Sequence, residues 1–304
     1  NCLPPSGGEM QTEDVIIIGA GPAGIATAIQ LKRYGIVPLL LEKNTTGGLL
    51  RNADLIENYP GFPGGISGPA LVNLFEKQLA ENSINVTFTE TTALDSKDNL
   101  FRVATSREVY YSRIIVVASG TKPRKAMIPE TAEELKDRIF YEVYPLLQIK
   151  GKKIVIVGAG DAAFDYALNL GKNNEVIIYN RSGTTKCLPL LRERVESAPS
   201  ISYCEDTKIL GITSISPTDM LVECSNPGGI SKVAAHYLVF AVGREPQLDF
   251  FSERLKGNVR EMEERGILYF AGDVKNGAFR QTAIAVGDGI MAAMKIRERL
   301  KAER

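Results

Sequence analysis

The pattern that most restricts what this chain can fold into is a strand, a glycine turn and a helix, met twice. Val15-Ile-Ile-Ile18 is a run suited to a buried strand, and Gly19-Ala-Gly-Pro-Ala-Gly24 follows it directly. Ile25, Ala28, Ile29 and Leu31 then fall at helical spacing until Gly35 stops the helix. Leu39 to Leu41 predicts a second short strand ending at Glu42, which completes a βαβ unit. The succession returns 139 residues later as Ile154-Val-Ile-Val157, Gly158-Ala-Gly-Asp-Ala-Ala163, a helix through Leu170 and the strand Val176-Ile-Ile178. Three further apolar runs close on small residues, Ile114 to Gly120, Leu238 to Gly243 and Ile267 to Gly272. Asp273 and a helical pattern from Arg280 come after the last of them. Strands and helices alternating around glycine turns imply an α/β architecture with parallel sheets.

Length and composition narrow the class. At 304 residues the chain approaches the size at which one core gives way to two, so each repeat is expected in its own domain. Thirty-six basic and 36 acidic residues leave a formal charge of zero. That removes the long-range basic field needed for nonspecific nucleic-acid or acidic-membrane binding. No apolar run nears the roughly 20 residues of a membrane span. Four cysteines, at 2, 187, 204 and 224, are too few and too scattered for a disulfide scaffold, which favours a reducing, cytoplasmic setting. His236 is the one histidine and there is no Cys-x-x-Cys, so no metal site is expected. Residues 1–12, with Pro4, Pro5, Gly7 and Gly8, are expected to be a flexible leader.

The glycine loops point to a phosphate ligand. The free N–H groups and positive end of a helix stabilise an anion only if backbone can approach it closely. Gly19 permits the tight turn, Gly21 the approach to a pyrophosphate, and Gly24 the close packing of helix on strand. Glu42 ends the next strand, where a carboxylate accepts ribose hydroxyls. The second loop, Gly158, Gly160 and Ala163, relaxes the third glycine, and its following strand ends in Tyr179-Asn-Arg181 without an acid. Arg181, with Lys186 nearby, can meet a 2′-phosphate or can be an ordinary surface cation.

With these loops the chain resembles the low-molecular-weight thioredoxin reductase family of FAD-dependent pyridine-nucleotide oxidoreductases, from about residue 13 to about 299. The resemblance is carried by both glycine loops, Gly47-Gly-Leu, Ile56-Glu-Asn-Tyr-Pro-Gly-Phe62, Ala118-Ser-Gly120, Ala241-Val-Gly243, and Ala271-Gly-Asp273 with Arg280-Gln-Thr-Ala. It implies two Rossmann-like domains in three layers, with parallel sheets and a small antiparallel crossover sheet. FAD would be held by residues 13–120 and 247–304, and NAD(P)H by 121–246. It places Gly19, Gly21, Gly24, Glu42, Gly48, Asn58, Asp273, Arg280 and Gln281 against FAD, and Gly158, Gly160, Ala163 and Arg181 against NADPH. It also implies a homodimer and hinge motion of one domain against the other.

The chain departs from that family where the redox chemistry sits. Aligned backward from Lys153-Ile154 without a gap, the family's cysteine pair falls on Tyr141 and Tyr144. A disulfide that takes electrons from a flavin needs two thiols within bonding distance, and no such spacing exists here. The family's His-Arg-Arg phosphate motif is reduced to Tyr179-Asn-Arg181. Three functions follow as alternatives. The first is a flavoenzyme passing electrons from NADPH or NADH to an external acceptor, such as ferredoxin, flavodoxin or another electron-transfer protein. Reductases of that branch carry a C-terminal extension, whereas this chain ends soon after Met291 and Met294. The second is a flavin-binding protein whose second nucleotide fold takes another dinucleotide or nothing, and the third keeps thiol chemistry through Cys187 or Cys204.

Overall fold

The computed structural model describes residues 12–97, 100–126 and 133–302. The expected leader and Cys2 lie outside them, except for Thr12, which opens the first strand. In chain order the elements are β1 (Thr12–Ile18), α1 (Pro22–Arg33), β2 (Leu39–Glu42), α2 (Gly68–Glu81), β3 (Val86–Phe88), β4 (Thr91–Lys97), β5 (Leu100–Thr105) and β6 (Val109–Val117). There follow β7 (Thr121–Pro123), β8 (Ile139–Phe140), β9 (Lys153–Val157), α3 (Asp161–Gly171), β10 (Glu175–Tyr179), α4 (Pro189–Glu196) and β11 (Ile201–Cys204). The chain continues through β12 (Lys208–Ser214), β13 (Met220–Asn226), β14 (Gly229–Ala235), β15 (Tyr237–Phe240), β16 (Arg244–Pro246), α5 (Glu253–Glu264), β17 (Leu268–Phe270) and α6 (Thr282–Ala302).

Two compact units result. One takes the residues up to Leu50, Ala70–Lys122 and those from Pro246 on; the other takes Arg51–Pro69 and Pro123–Glu245. The first holds a sheet in the order β3-β2-β1-β6-β5-β4, with β17 also beside β6. Pairing is parallel from β3 through β6 and to β17, and antiparallel along β6, β5 and β4. Val15, Ile16 and Ile17 in succession are fully buried, as a parallel strand covered on both faces requires. On one face α1 and α6 cross at Gly289, where a side chain would begin 2.2 Å from the Ala23 carbonyl oxygen. Thr27 Oγ1 donates to the Gly289 carbonyl at 3.1 Å across that crossing.

The second unit holds an all-parallel sheet, β11-β10-β9-β15-β8, and an antiparallel sheet, β12-β13-β14. Ile154, Ile156, Val176, Ile178 and Val239 form its core with Ala163, Phe164 and Leu170 of α3. β7 and β16 make a separate two-stranded sheet.

Residues 51–69, expected from the sequence with the first half, group with the second unit because their polar groups bind there. Asn52 Oδ1 accepts the N–H groups of Val143 and Tyr144, each at 2.9 Å. Asp54 N–H donates to the Asp165 carboxylate, and the Asp54 carboxylate pairs with Lys172. Arg194 forks onto Glu57 at 2.7 and 2.9 Å, which holds the Glu57 carboxyl below its ordinary range.

Candidate functional site

The first glycine loop has the geometry of a phosphate cradle. Gly19 sits at φ 107°, and a side chain on it would meet the Ala118 carbonyl oxygen at 2.4 Å. Gly24 lies so close beneath the loop that a side chain would begin 1.9 Å from the Gly19 carbonyl oxygen. Gly21, the cap of α1, has open space instead, with nothing within 4 Å of where a side chain would start. The α1 terminus has no side-chain cap and no acid in its first turn, which leaves its N–H groups and positive end to a ligand.

Glu42 is 9% exposed. Its Oε2 accepts from Ala20 N–H at 2.8 Å and its Oε1 from Asn44 N–H at 2.9 Å. Each oxygen keeps a lone pair for a ligand hydroxyl. A pocket of about 70 Å³ opens beside it, lined by Gly19, Thr89, Glu90 and Phe250 among others.

The Asp273 turn meets the same loop from β17. Gly272, at φ 80°, packs against Ala23 of α1, where a side chain would begin 2.9 Å from the Ala23 Cβ. Asp273 is half-buried in this turn. Asp288 in α6 fixes the turn by accepting from Gly272 N–H at 3.1 Å and Asn276 Nδ2 at 2.6 Å and pairing with Lys275 at 3.0 Å. Sequence reasoning missed Asp288; the one available signal was an acid between two glycines, Gly287 and Gly289, in a small-residue stretch of α6. The Gln281 carbonyl accepts Ala285 N–H and so starts α6 directly after Arg280. Gly48 also faces the loop, its side-chain position 3.7 Å from Gly21 Cα. Asn58 is not brought to this set within the first unit, since it lies in the 51–69 excursion.

The second loop repeats the arrangement in the second unit. A side chain on Gly158 would meet the Ala241 carbonyl oxygen at 2.6 Å, and Gly160 is open. Ala163 is fully buried against the loop. Asp161 in the first turn of α3 is occupied, accepting from Leu188 N–H at 2.8 Å. Arg181 and Lys186 are exposed and make no ion pair among the described residues.

Tyr141 packs on Phe240 with ring centroids 5.8 Å apart, and Tyr144 accepts from Arg51 at 3.2 Å with the guanidinium over its ring. The three described cysteines are free thiols. Burial pushes the Cys204 thiol up, Cys224 is buried, and Cys187 accepts from the Thr185 hydroxyl at 3.1 Å. His236 accepts Lys153 N–H at 3.0 Å and joins a turn beside Asp219, a structural place. Among the described residues no group of three or more His, Cys, Asp or Glu is set to hold a metal, and no helix is long and apolar enough to cross a membrane.

Two sheet-borne glycine cradles, each opening a helix and followed by a strand, define a protein with two dinucleotide-type folds. The chain belongs to the pyridine nucleotide-disulphide oxidoreductase family, whose pattern it matches over residues 13–289. It is similar to the thioredoxin reductase of Treponema pallidum, with 29% identity over 299 residues, 93% of this chain and 96% of that one. A 34.2 kDa protein in the rubredoxin operon of Clostridium pasteurianum is 28% identical over 294 residues, covering 92% of this chain and 95% of that protein. Among solved structures, Lactococcus lactis thioredoxin reductase in its FR conformation aligns with a TM-score of 0.83 and 26% identity over 95% of this chain and 99% of that one. The protein is thus an FAD-dependent oxidoreductase of the thioredoxin reductase-like kind.

Proposed function

We propose that this oxidoreductase takes hydride from a nicotinamide dinucleotide in its second glycine fold and delivers electrons to an external acceptor, without an internal cysteine pair. The carrying observation is that no Cys-x-x-Cys exists anywhere in the 304 residues. When bound, FAD supplies the two-electron chemistry that links donor to acceptor. The chain's own part is to hold it: open backbone at Gly21 and the first turn of α1 for the pyrophosphate, Glu42 for the adenosine ribose, and Asp273 for the ribityl chain. Gly48, Arg280 and Gln281 complete the proposed set. In this reading residues 13–50 and 70–120 with 247–304 form the FAD half, and 121–246, which the 51–69 excursion joins, form the half for the donor.

In the donor half, Gly158 and Gly160 let the backbone approach a second pyrophosphate, and Arg181 with Lys186 offers cations to a 2′-phosphate, favouring NADPH over NADH. Tyr141 and Tyr144 pack and bond as structural side chains and carry no electrons. The raised Cys204 thiol disfavours the thiolate that disulfide exchange requires. The acceptor class is an electron-transfer protein, ferredoxin, flavodoxin or rubredoxin. The rubredoxin-operon relative supports an acceptor other than thioredoxin.

The test replaces all four cysteines by serine and measures NADPH-dependent reduction of ferricyanide. The expected result is a variant that still binds FAD and turns over within about twofold of the unaltered protein, since the proposed electron path uses no thiol. Turnover lost with FAD still bound would favour thiol chemistry instead.

A further inference from the structure

The pocket beside Glu42 holds a side-chain group that the protein itself leaves unpaired. Among the described residues that line it, Thr89, Thr91 and Ser119 carry hydroxyls. Thr89 Oγ1 bonds Ser106 Oγ at 3.2 Å, and Ser119 Oγ donates to the Gln247 carbonyl at 2.7 Å. Those two are spent within the chain. Thr91 Oγ1 is buried and has no hydrogen-bond partner among the described residues. A buried hydroxyl without a partner destabilises the chain that carries it, and a valine has nearly the same shape without that cost.

The backbone delivers Thr91 to this pocket through an irregularity in the sheet. β4 pairs with β5 through Thr91 and Thr105 and again through Ala93 and Ala104, so Thr92 is one residue too many for the ladder. Such a bulge bends the strand and re-aims the side chains beside it. Thr89, two residues before Thr91, gives its N–H to the Glu42 carbonyl at 2.8 Å, which ties the approach to β4 to the end of β2. Ile18, Leu41 and Phe250, all buried, supply apolar lining. Apolar walls with an unpaired hydroxyl suit a flat ring that carries polar atoms on its edge. Glu42 is the proposed partner of the adenosine ribose, so the ring attached to that ribose is the group that reaches this lining.

We propose that the Thr91 hydroxyl binds the edge of the FAD adenine, so that Thr91 is a side-chain determinant of cofactor retention. This deepens the FAD site proposed above and rests on it. A hydroxyl donates to a ring nitrogen or accepts from an exocyclic amine, so the bound ring satisfies what the chain leaves unsatisfied.

The test reads FAD retention from flavin fluorescence as the holoprotein is diluted, and thermal unfolding of the full chain with and without FAD. Thr91→Val should raise the FAD dissociation constant about 5- to 30-fold, whereas Thr91→Ser, which keeps the oxygen, should stay within about threefold. Without FAD, Thr91→Val should melt at or above the unaltered protein, because it has lost an unpaired polar group. Thr91→Ala carries the retention measurement if the valine variant does not fold. Retention unchanged in the valine variant, or in the alanine variant when it stands alone, overturns the proposal. Retention loosened equally by serine and valine also overturns it, since shape and not the oxygen would then be the cause. A lower melting temperature of FAD-free Thr91→Val overturns it as well, because the hydroxyl would then have its partner within the chain. An unaltered protein that takes up no FAD removes the reading of the first fold itself, and the proposal with it.

Discussion

Glu42 is committed to the loop before any ligand arrives. Its two oxygens already accept from Ala20 and Asn44 N–H, so the carboxylate shapes the cradle that the proposed function assigns to FAD. Glu42→Ala leaves those donors unsatisfied and removes a charge-assisted bond worth about 1.5–3 kcal/mol. The FAD dissociation constant, read by flavin fluorescence, should rise about 10- to 150-fold. An unchanged constant would mean that the carboxylate serves only the loop. Asp165 shows the opposite electrostatics. Burial is the main cause that pushes its carboxyl up to about 6, Asp54 adds repulsion, and backbone N–H groups of Asp54 and Leu55 with Lys172 only partly offset this. A raised carboxyl favours the protonated form in the folded state. Its stabilisation is full below pH 4 and is lost as pH rises through about 6, on the order of 3 kcal/mol. Urea unfolding should show this slope between pH 4 and 7, and Asp165→Asn should flatten it; parallel profiles for the two proteins would contradict the account. Glu42 was legible in the sequence because a strand end after a glycine loop is a local pattern. Asp165 was not, because its partner Asp54 lies 111 residues away.

At the scale of elements, the first site depends on how α6 lies on α1. Gly289 allows the two backbones to touch, and its neighbour Asp288 holds the Asp273 turn. Gly289→Ala would place a methyl 2.2 Å from the Ala23 carbonyl oxygen, so one helix must shift. Overpacking of this kind costs about 1–3 kcal/mol. Because Ala23 belongs to the first turn of α1, FAD should also be released more readily. Thermal unfolding together with FAD retention on gel filtration checks both; a variant that melts and retains flavin like the unaltered protein would show the crossing to be slack. Both glycine loops, their strands and the start of α6 follow from runs of a few residues, which is why they were readable. The contact between Gly289 and Ala23, and the capture of residues 51–69 by Asn169, Lys172 and Arg194, join distant stretches that carry no local signal.

At the scale of the whole molecule the question is how many electrons the chain can store. A thiol pair beside the flavin would add a second two-electron centre, and the three described cysteines are free thiols with no Cys-x-x-Cys spacing among them. The decisive measurement is an anaerobic absorbance titration of the purified holoprotein with NADPH, repeated with NADH, following the flavin band. One equivalent of NADPH per flavin should bleach the band completely, and NADH should do so less effectively at equal concentration. A requirement for two equivalents would reveal an internal disulfide and contradict the account, as would a band that neither nucleotide bleaches.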